Sequence, residues 1–193
     1  MKSLLAHALL LSLLFVAAAV GADAPALKAG VFSPPRPAPD FSLQGSDGRA
    51  LTLSRFNGKV VLLGFGFTSC TEVCPVTLAT LAQARRKLGS AAADVQVVYV
   101  TVDPERDVAE RMKNYLGAFD PTFVGGTGAA ERLAAVRKDY GVFAEKKTQG
   151  STYTVAHSSF VFLIDRSGSL RALMPYGHGP DDYVHDLKML LQE

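Results

Sequence analysis

The sequence predicts an α/β fold in which a central β-sheet is flanked by helices. Three observations predict it. Two apolar runs of strand length, residues 59–67 and 94–103, are each followed by a segment of helical periodicity. A third strand-like run, 159–165, leads through a turn into a second strand and a closing helix. The chain has 193 residues and is 48% hydrophobic, enough to bury one substantial core.

The first residues read as an export signal. Lys2 precedes an apolar run from Leu4 to Val20, and Val20-Gly21-Ala22 offers small residues for cleavage. Residues 1–22 are therefore assigned to a signal peptide, with a retained membrane anchor as the alternative, since about 17 apolar residues is the lower limit for a span. Residues 23–39 read as a proline-rich tether, because "SPPRPAPD" (33–40) holds four prolines and favours an extended, polyproline-like chain. The folded domain is expected over 40–193.

Within it, "FSLQGSDGRALTL" (41–53) is a hairpin candidate turning at Ser46-Asp47-Gly48. "KVVLLGFGF" (59–67) is uninterrupted, as a central strand covered on both faces requires. The segment after Pro75 repeats apolar residues at Leu78, Leu81 and Leu88 and places Arg85, Arg86 and Lys87 where a helix dipole favours cations. "DVQVVYVTVD" is the next buried strand. Asp107 and Glu110 stand in capping-box spacing for a second helix, and Asp103 with Pro104 reads as an N-cap and first helical residue. "GAAERLAAVRKDYG" is a third helix closed by Gly141. "RSGS" turns 159–165 into "LRALM", and 181–193 form the last helix.

Charge gives little direction. The net charge is +2 with no block of like charges, so neither a nucleic-acid footprint nor a polybasic membrane patch is present. No phosphate-cradling glycine loop follows a strand, because Gly64 and Gly66 lie inside one, and no Ser-His-Asp arrangement is visible.

The chemistry concentrates in "TSCTEVCP" (68–75), which holds both cysteines, Cys70 and Cys74, at a strand-to-helix junction. The positive end of a helix favours a thiolate, so one or both sulfurs should ionise more readily than a free cysteine. Three intervening residues, instead of the two of a redox Cys-x-x-C, allow two sulfurs to face one ion, but the spacing also permits a disulfide. An exported pair would be expected to oxidise if unprotected, although so short a loop gains little from a staple. A third ligand candidate is His157 in "TVAHSSFVFLID", standing about where the thioredoxin class carries a proline facing the cysteines. Two thiolates and one imidazole form a soft site that favours copper, with zinc the chemical competitor. His178, His185 and Met174 are isolated and read as loop, surface and lone residues. A peroxiredoxin reading ranks last, because Thr68 lies two residues before Cys70 and not three.

Nearly the whole chain after residue 22 resembles the Sco/SenC family, through "PDFSLQGSDGRALTLSRFNGKVVLLGFGFTSCTEVCP", "VVYVTVDPERD" and "YTVAHSSFVFLID" in order. The resemblance implies a thioredoxin-like fold with a mixed central sheet, an N-terminal hairpin and an inserted hairpin (143–157) that carries His157 to the cysteines. It implies copper, Cu(I) or Cu(II), bound by Cys70, Cys74 and His157. It also implies a monomeric protein facing the periplasm near a membrane, with the copper-bearing subunit of cytochrome c oxidase or another copper chaperone as partner. The role implied is metallochaperone, with thiol-disulfide reduction of the copper-receiving partner as the alternative. Ala156 stands where the family usually has an aspartate, and Asp103 is the motif aspartate of "VDPERD".

Overall fold

The computed structural model describes residues 26–193; the assigned signal peptide, residues 1–22, lies outside them. Eight strands form one mixed sheet in the order β1-β10-β9-β4-β5-β6-β2-β3. They are β1 (Gly30–Pro37), β2 (Ser42–Gly45), β3 (Ala50–Thr52), β4 (Val60–Gly66), β5 (Val95–Thr101), β6 (Val124–Thr127), β9 (Phe160–Ile164) and β10 (Ser169–Pro175). A separate two-stranded hairpin, β7 (Ala144–Gln149) and β8 (Thr152–His157), stands outside this sheet. The helices are α1 (Val73–Leu88), α2 (Ala109–Gly117), α3 (Ala130–Asp139) and α4 (Pro180–Leu191).

The centre of the sheet is β4 beside β5, parallel and in register from Val60↔Val95 to Gly66↔Thr101. Every residue of both strands is buried, the signature of strands covered on both faces. Because side chains alternate, Gly64 and Gly66 face one way and Phe65 the other. On the glycine face lies Cys74 of α1, and Met112 and Leu116 of α2 press on Gly125 of β6. Helix α4 packs against α1. On the opposite face Tyr140, which ends α3, packs with Phe65 and Phe162 at ring centroids 5.8 and 5.2 Å apart. Helix α3 closes as the sequence predicts: Gly141 takes φ +66°, its N–H bonds the Lys138 carbonyl, and the Val142 N–H bonds the Arg137 carbonyl, a Schellman stop.

Three expectations are corrected. Residues 30–37, expected as part of a tether, form edge strand β1, so the domain begins before residue 40. β1 pairs with β10 at Gly30↔Leu173, Val31↔Ala172, Arg36↔Leu170 and Pro37↔Ser169. The prolines are tolerated because Pro34 and Pro35 fall in the irregular stretch between Val31 and Arg36 and the strand lies on the edge. What draws the chain into the fold lies far away in sequence: the buried carboxylate of Asp186 on α4 accepts the N–H groups of Lys28 and Ala29 at 2.7 and 2.9 Å.

Neither cap expected around residues 103–110 forms. Residues 104–106 make a turn, and α2 starts at Ala109 after an uncapped Val108. The carboxylates of Asp103 and Asp107 are both fully buried and bond elsewhere. Strand β6 was not expected at all, because "VGGT" lacks side chains that announce a strand. Its glycines are there for space: a Cβ on Gly125 would lie 2.9 Å from Met112, and one on Gly126 would lie 2.8 Å from Leu51.

Candidate metal centre

The site forms where β4 runs out into the loop 67–72 and α1 begins. No side chain caps α1; the amide of Cys74 instead points at the Cys70 sulfur at 3.4 Å, so Cys70 meets one of the donors that a helix start leaves open. Cys70 is partly exposed and Cys74 is buried, and both are free thiols.

The loop is fixed from beneath by Asp107. Its carboxylate accepts the Thr68 N–H at 3.0 Å, the Thr68 hydroxyl at 2.5 Å and the Thr101 hydroxyl at 2.7 Å. Arg111 of α2 reaches over the top, donating to Thr68 Oγ1 at 2.6 Å and Ser69 Oγ at 3.0 Å. These bonds hold the approach to Cys70 to the ends of β5 and α2.

The third residue arrives on β8. His157 is its last residue, and its Nε2 lies 3.6 Å from Cys74 Sγ. Nδ1 lies 2.9 Å from the Ser158 carbonyl. A carbonyl can only accept, so Nδ1 carries the proton, and the lone pair of a neutral ring sits on Nε2, facing the sulfurs. The ligand atoms of Cys70, Cys74 and His157 all lie within 4.8 Å of one another. Phe67 meets the imidazole edge-to-face at 5.9 Å. Cys70 and His157 open into a cleft of about 380 Å³, lined also by Thr71, Glu72 and Thr154.

The two thiols behave differently, which refines the expectation from the helix dipole. The hydrogen bond from Cys74 brings the Cys70 thiol down to about 3, against the opposing effect of burial. The same bond, with burial, pushes the Cys74 thiol far up. Thus Cys70 holds the charge and Cys74 the shared proton in the metal-free site. Tyr99 of β5, fully buried, directs its hydroxyl to the Cys74 sulfur. Gly66 makes room for both, since a Cβ there would fall 2.0 Å from the Tyr99 oxygen and 2.9 Å from Cys74 Sγ.

The other sequence candidates lie elsewhere. His178 pairs with Asp182 and His185 with Asp186, each at 2.9 Å, and Met174 is buried in the core. Among the described residues no second group of metal-ligating side chains occurs. Asp103 bonds the Tyr153 hydroxyl at 2.8 Å and the Arg106 guanidinium. Sequence reasoning missed Tyr99 and Tyr153 and misread Asp107. Only Asp107 carried a signal, an acidic residue beside an apolar strand, and it fitted a helix cap equally well.

The fold and site together define a thioredoxin-like protein whose dithiol and histidine face a common point, suited to a soft metal ion or to thiol exchange. The chain belongs to the SCO1/SenC family, whose model matches residues 33–192. The mitochondrial protein SCO2 homolog of Bos taurus is 40% identical over 133 residues, 67% of this chain and 50% of that protein; the chain spans about half the length of the mammalian relatives it matches. The structure of Bradyrhizobium japonicum ScoI with copper bound is 35% identical, covers 80% of this chain and 99% of that one, and superposes with a TM-score of 0.74. BsSco, a member of the Sco family of cytochrome c oxidase assembly proteins in which a disulfide switch was identified, is 25% identical over 82% of this chain and 95% of that one, with a TM-score of 0.66.

Proposed function

We propose that the protein is a copper metallochaperone of cytochrome c oxidase assembly, carrying one copper ion on Cys70, Cys74 and His157. The single observation that carries the reading is the meeting of His157 Nε2 with the two sulfurs. Donor chemistry supports copper as cargo: two sulfurs and one imidazole satisfy Cu(I) in three-coordination, whereas Cu(II) asks for a further ligand from water or a partner. The copper-bound relative supports the same choice. Cys70 is ready to bind as it stands, and Cys74 must release its proton as the metal enters.

The likeness to an oxidase assembly family supports delivery to the copper-bearing subunit of cytochrome c oxidase or to another copper chaperone. We further propose that the chain is exported, with residues 1–22 as signal peptide, and acts as a monomer on the periplasmic side near the membrane. Copper titration of the reduced protein under anaerobic conditions tests the central reading. One equivalent bound, with sulfur and nitrogen coordination, is expected; binding without nitrogen coordination overturns it.

A second reading, thiol-disulfide reduction of the copper-receiving partner, is favoured by one observation: the accessible sulfur, Cys70, is the thiolate, and the buried one is the thiol. Cys70 would attack a target disulfide and release one target thiolate. Cys74, losing its proton, would then attack Cys70 Sγ and release the second, leaving the pair oxidised and the target reduced. His157 has no bond to make or break in that exchange, so dependence on His157 separates the two readings.

A further inference from the structure

The β7–β8 hairpin that delivers His157 belongs to no larger sheet. Its strands pair with each other from Ala144↔His157 to Gln149↔Thr152, and Phe143 and Ser158 close its base through two hydrogen bonds. A two-stranded ribbon has little stability of its own. The position of its last residue must therefore be set by what the ribbon touches.

Strand alternation puts Tyr153, Val155 and His157 on one face of β8. Tyr153 meets the loop that follows β5. The Arg106 guanidinium lies over the Tyr153 ring at 3.9 Å and within 5.7 Å of the Phe67 ring, and Phe67 in turn packs against the His157 imidazole. Side chains from three segments thus make one continuous stack: Tyr153, Arg106, Phe67, His157. Arg106 Nη1 donates to the Tyr153 carbonyl at 3.1 Å, fixing the strand as well as the ring. Asp103 anchors the far end by accepting from the Tyr153 hydroxyl and from Arg106. Lys146 lies 4.7 Å from the centre of the Tyr153 ring and pairs with Glu105. Arg106 Nη2 is buried with no hydrogen-bond partner, so on that side the guanidinium is held by its flat faces and not by pairing.

We infer that Arg106 and Tyr153 are positioning residues for His157: the stack sets where the imidazole meets the sulfurs and so sets metal affinity, without touching the metal. The inference rests on the metal reading proposed above. Residues that orient a ligand commonly change metal affinity by ten- to a hundredfold.

The test compares Arg106→Ala, Arg106→Lys, Tyr153→Ala and Tyr153→Phe, with Lys147→Ala, which lies on the other face of the hairpin and pairs with Glu145, as control. In the metal-free proteins, NMR contacts between the Phe67 and His157 rings are read first. They should persist in the unaltered protein, the control and Tyr153→Phe, and vanish in both alanine variants and in Arg106→Lys, which keeps the charge and loses the plane. Copper affinity, measured by competition, should fall about tenfold in the variants that lose the contact, and by less than about threefold in Tyr153→Phe. In a His157→Ala background Arg106→Ala should cause no further loss. Ring contacts that survive Arg106→Ala, or an equal loss of affinity with and without His157, would overturn the inference. Should the unaltered protein bind copper without His157, the metal reading fails, while the ring contacts still report whether the stack places the imidazole.

Discussion

The Cys74 sulfur and His157 Nε2 lie 3.6 Å apart although 83 residues separate them in the chain. Cys74 is held by the first turn of α1 behind a central strand, and His157 by the end of a hairpin that only docks on the sheet. One partner is built into the core, and the other is brought to it. The chemistry of the site depends on both, and each can be perturbed separately.

The unequal thiols give a pH test. A free cysteine has a pKa near 8.5, whereas the bond from Cys74 brings Cys70 to about 3. A lowered pKa means that the folded protein keeps the Cys70 thiolate as pH falls from the free value to the folded one. Alkylation by iodoacetamide in the metal-free protein should thus be nearly constant across that window, falling only near its lower end. In denaturant it should drop about tenfold per unit below the free value. Mass spectrometry should place the first label on Cys70. A folded-state profile that already drops about tenfold per unit from pH 8.5 downward, as in denaturant, or first label on Cys74, contradicts the shared-proton arrangement.

Gly66 leaves the space that Tyr99 and Cys74 occupy. In Gly66→Ala the new methyl would fall 2.0 Å from the Tyr99 oxygen, and neither the strand nor the buried ring can withdraw freely. The variant should lose about 2 kcal/mol of stability and bind copper more weakly. Tyr99→Phe in the same background, which removes the nearest atom, should restore part of both. Denaturant unfolding and copper competition read the outcome; an unchanged Gly66→Ala protein would show that the site tolerates the displacement.

Strand β1 makes the stretch before residue 40 part of the fold. A chain starting at Asp40 would uncover the edge of β10 and leave the buried Asp186 carboxylate without the Lys28 and Ala29 amides. It should unfold at a free energy lower by about 3 kcal/mol and associate through the bared edge. A chain starting at Ala26 should do neither. Equal stability of the two, by urea denaturation, would return residues 30–37 to the role of tether.

Most of the sheet was legible in the sequence because its strands either are buried on both faces, as β4 and β5 are, or alternate around a plain turn, as β2 and β3 do. The cluster of Cys70, Cys74 and His157 was legible through the cysteine pair and a histidine at the place where a facing loop was expected. What escaped depends on partners distant in sequence. β1 is held by Asp186 on the last helix, and β6 owes its glycines to Met112 and Leu51. Asp107 and Asp103 fitted local capping patterns, yet the fold turns both carboxylates inward, to Thr68 and Thr101 in one case and to Tyr153 and Arg106 in the other. A local motif records what a residue can do with its neighbours in sequence; burial decides which partner it takes.

The role of His157 is tested most directly by titrating reduced His157→Ala with copper beside the unaltered protein, while following disulfide exchange at Cys70 and Cys74. The metal-site reading expects weaker copper binding, by about tenfold or more, loss of nitrogen coordination from the Cu(II) spectrum, and unchanged disulfide exchange. Unchanged affinity and spectrum for both copper ions would contradict it and leave the dithiol reductase in its place.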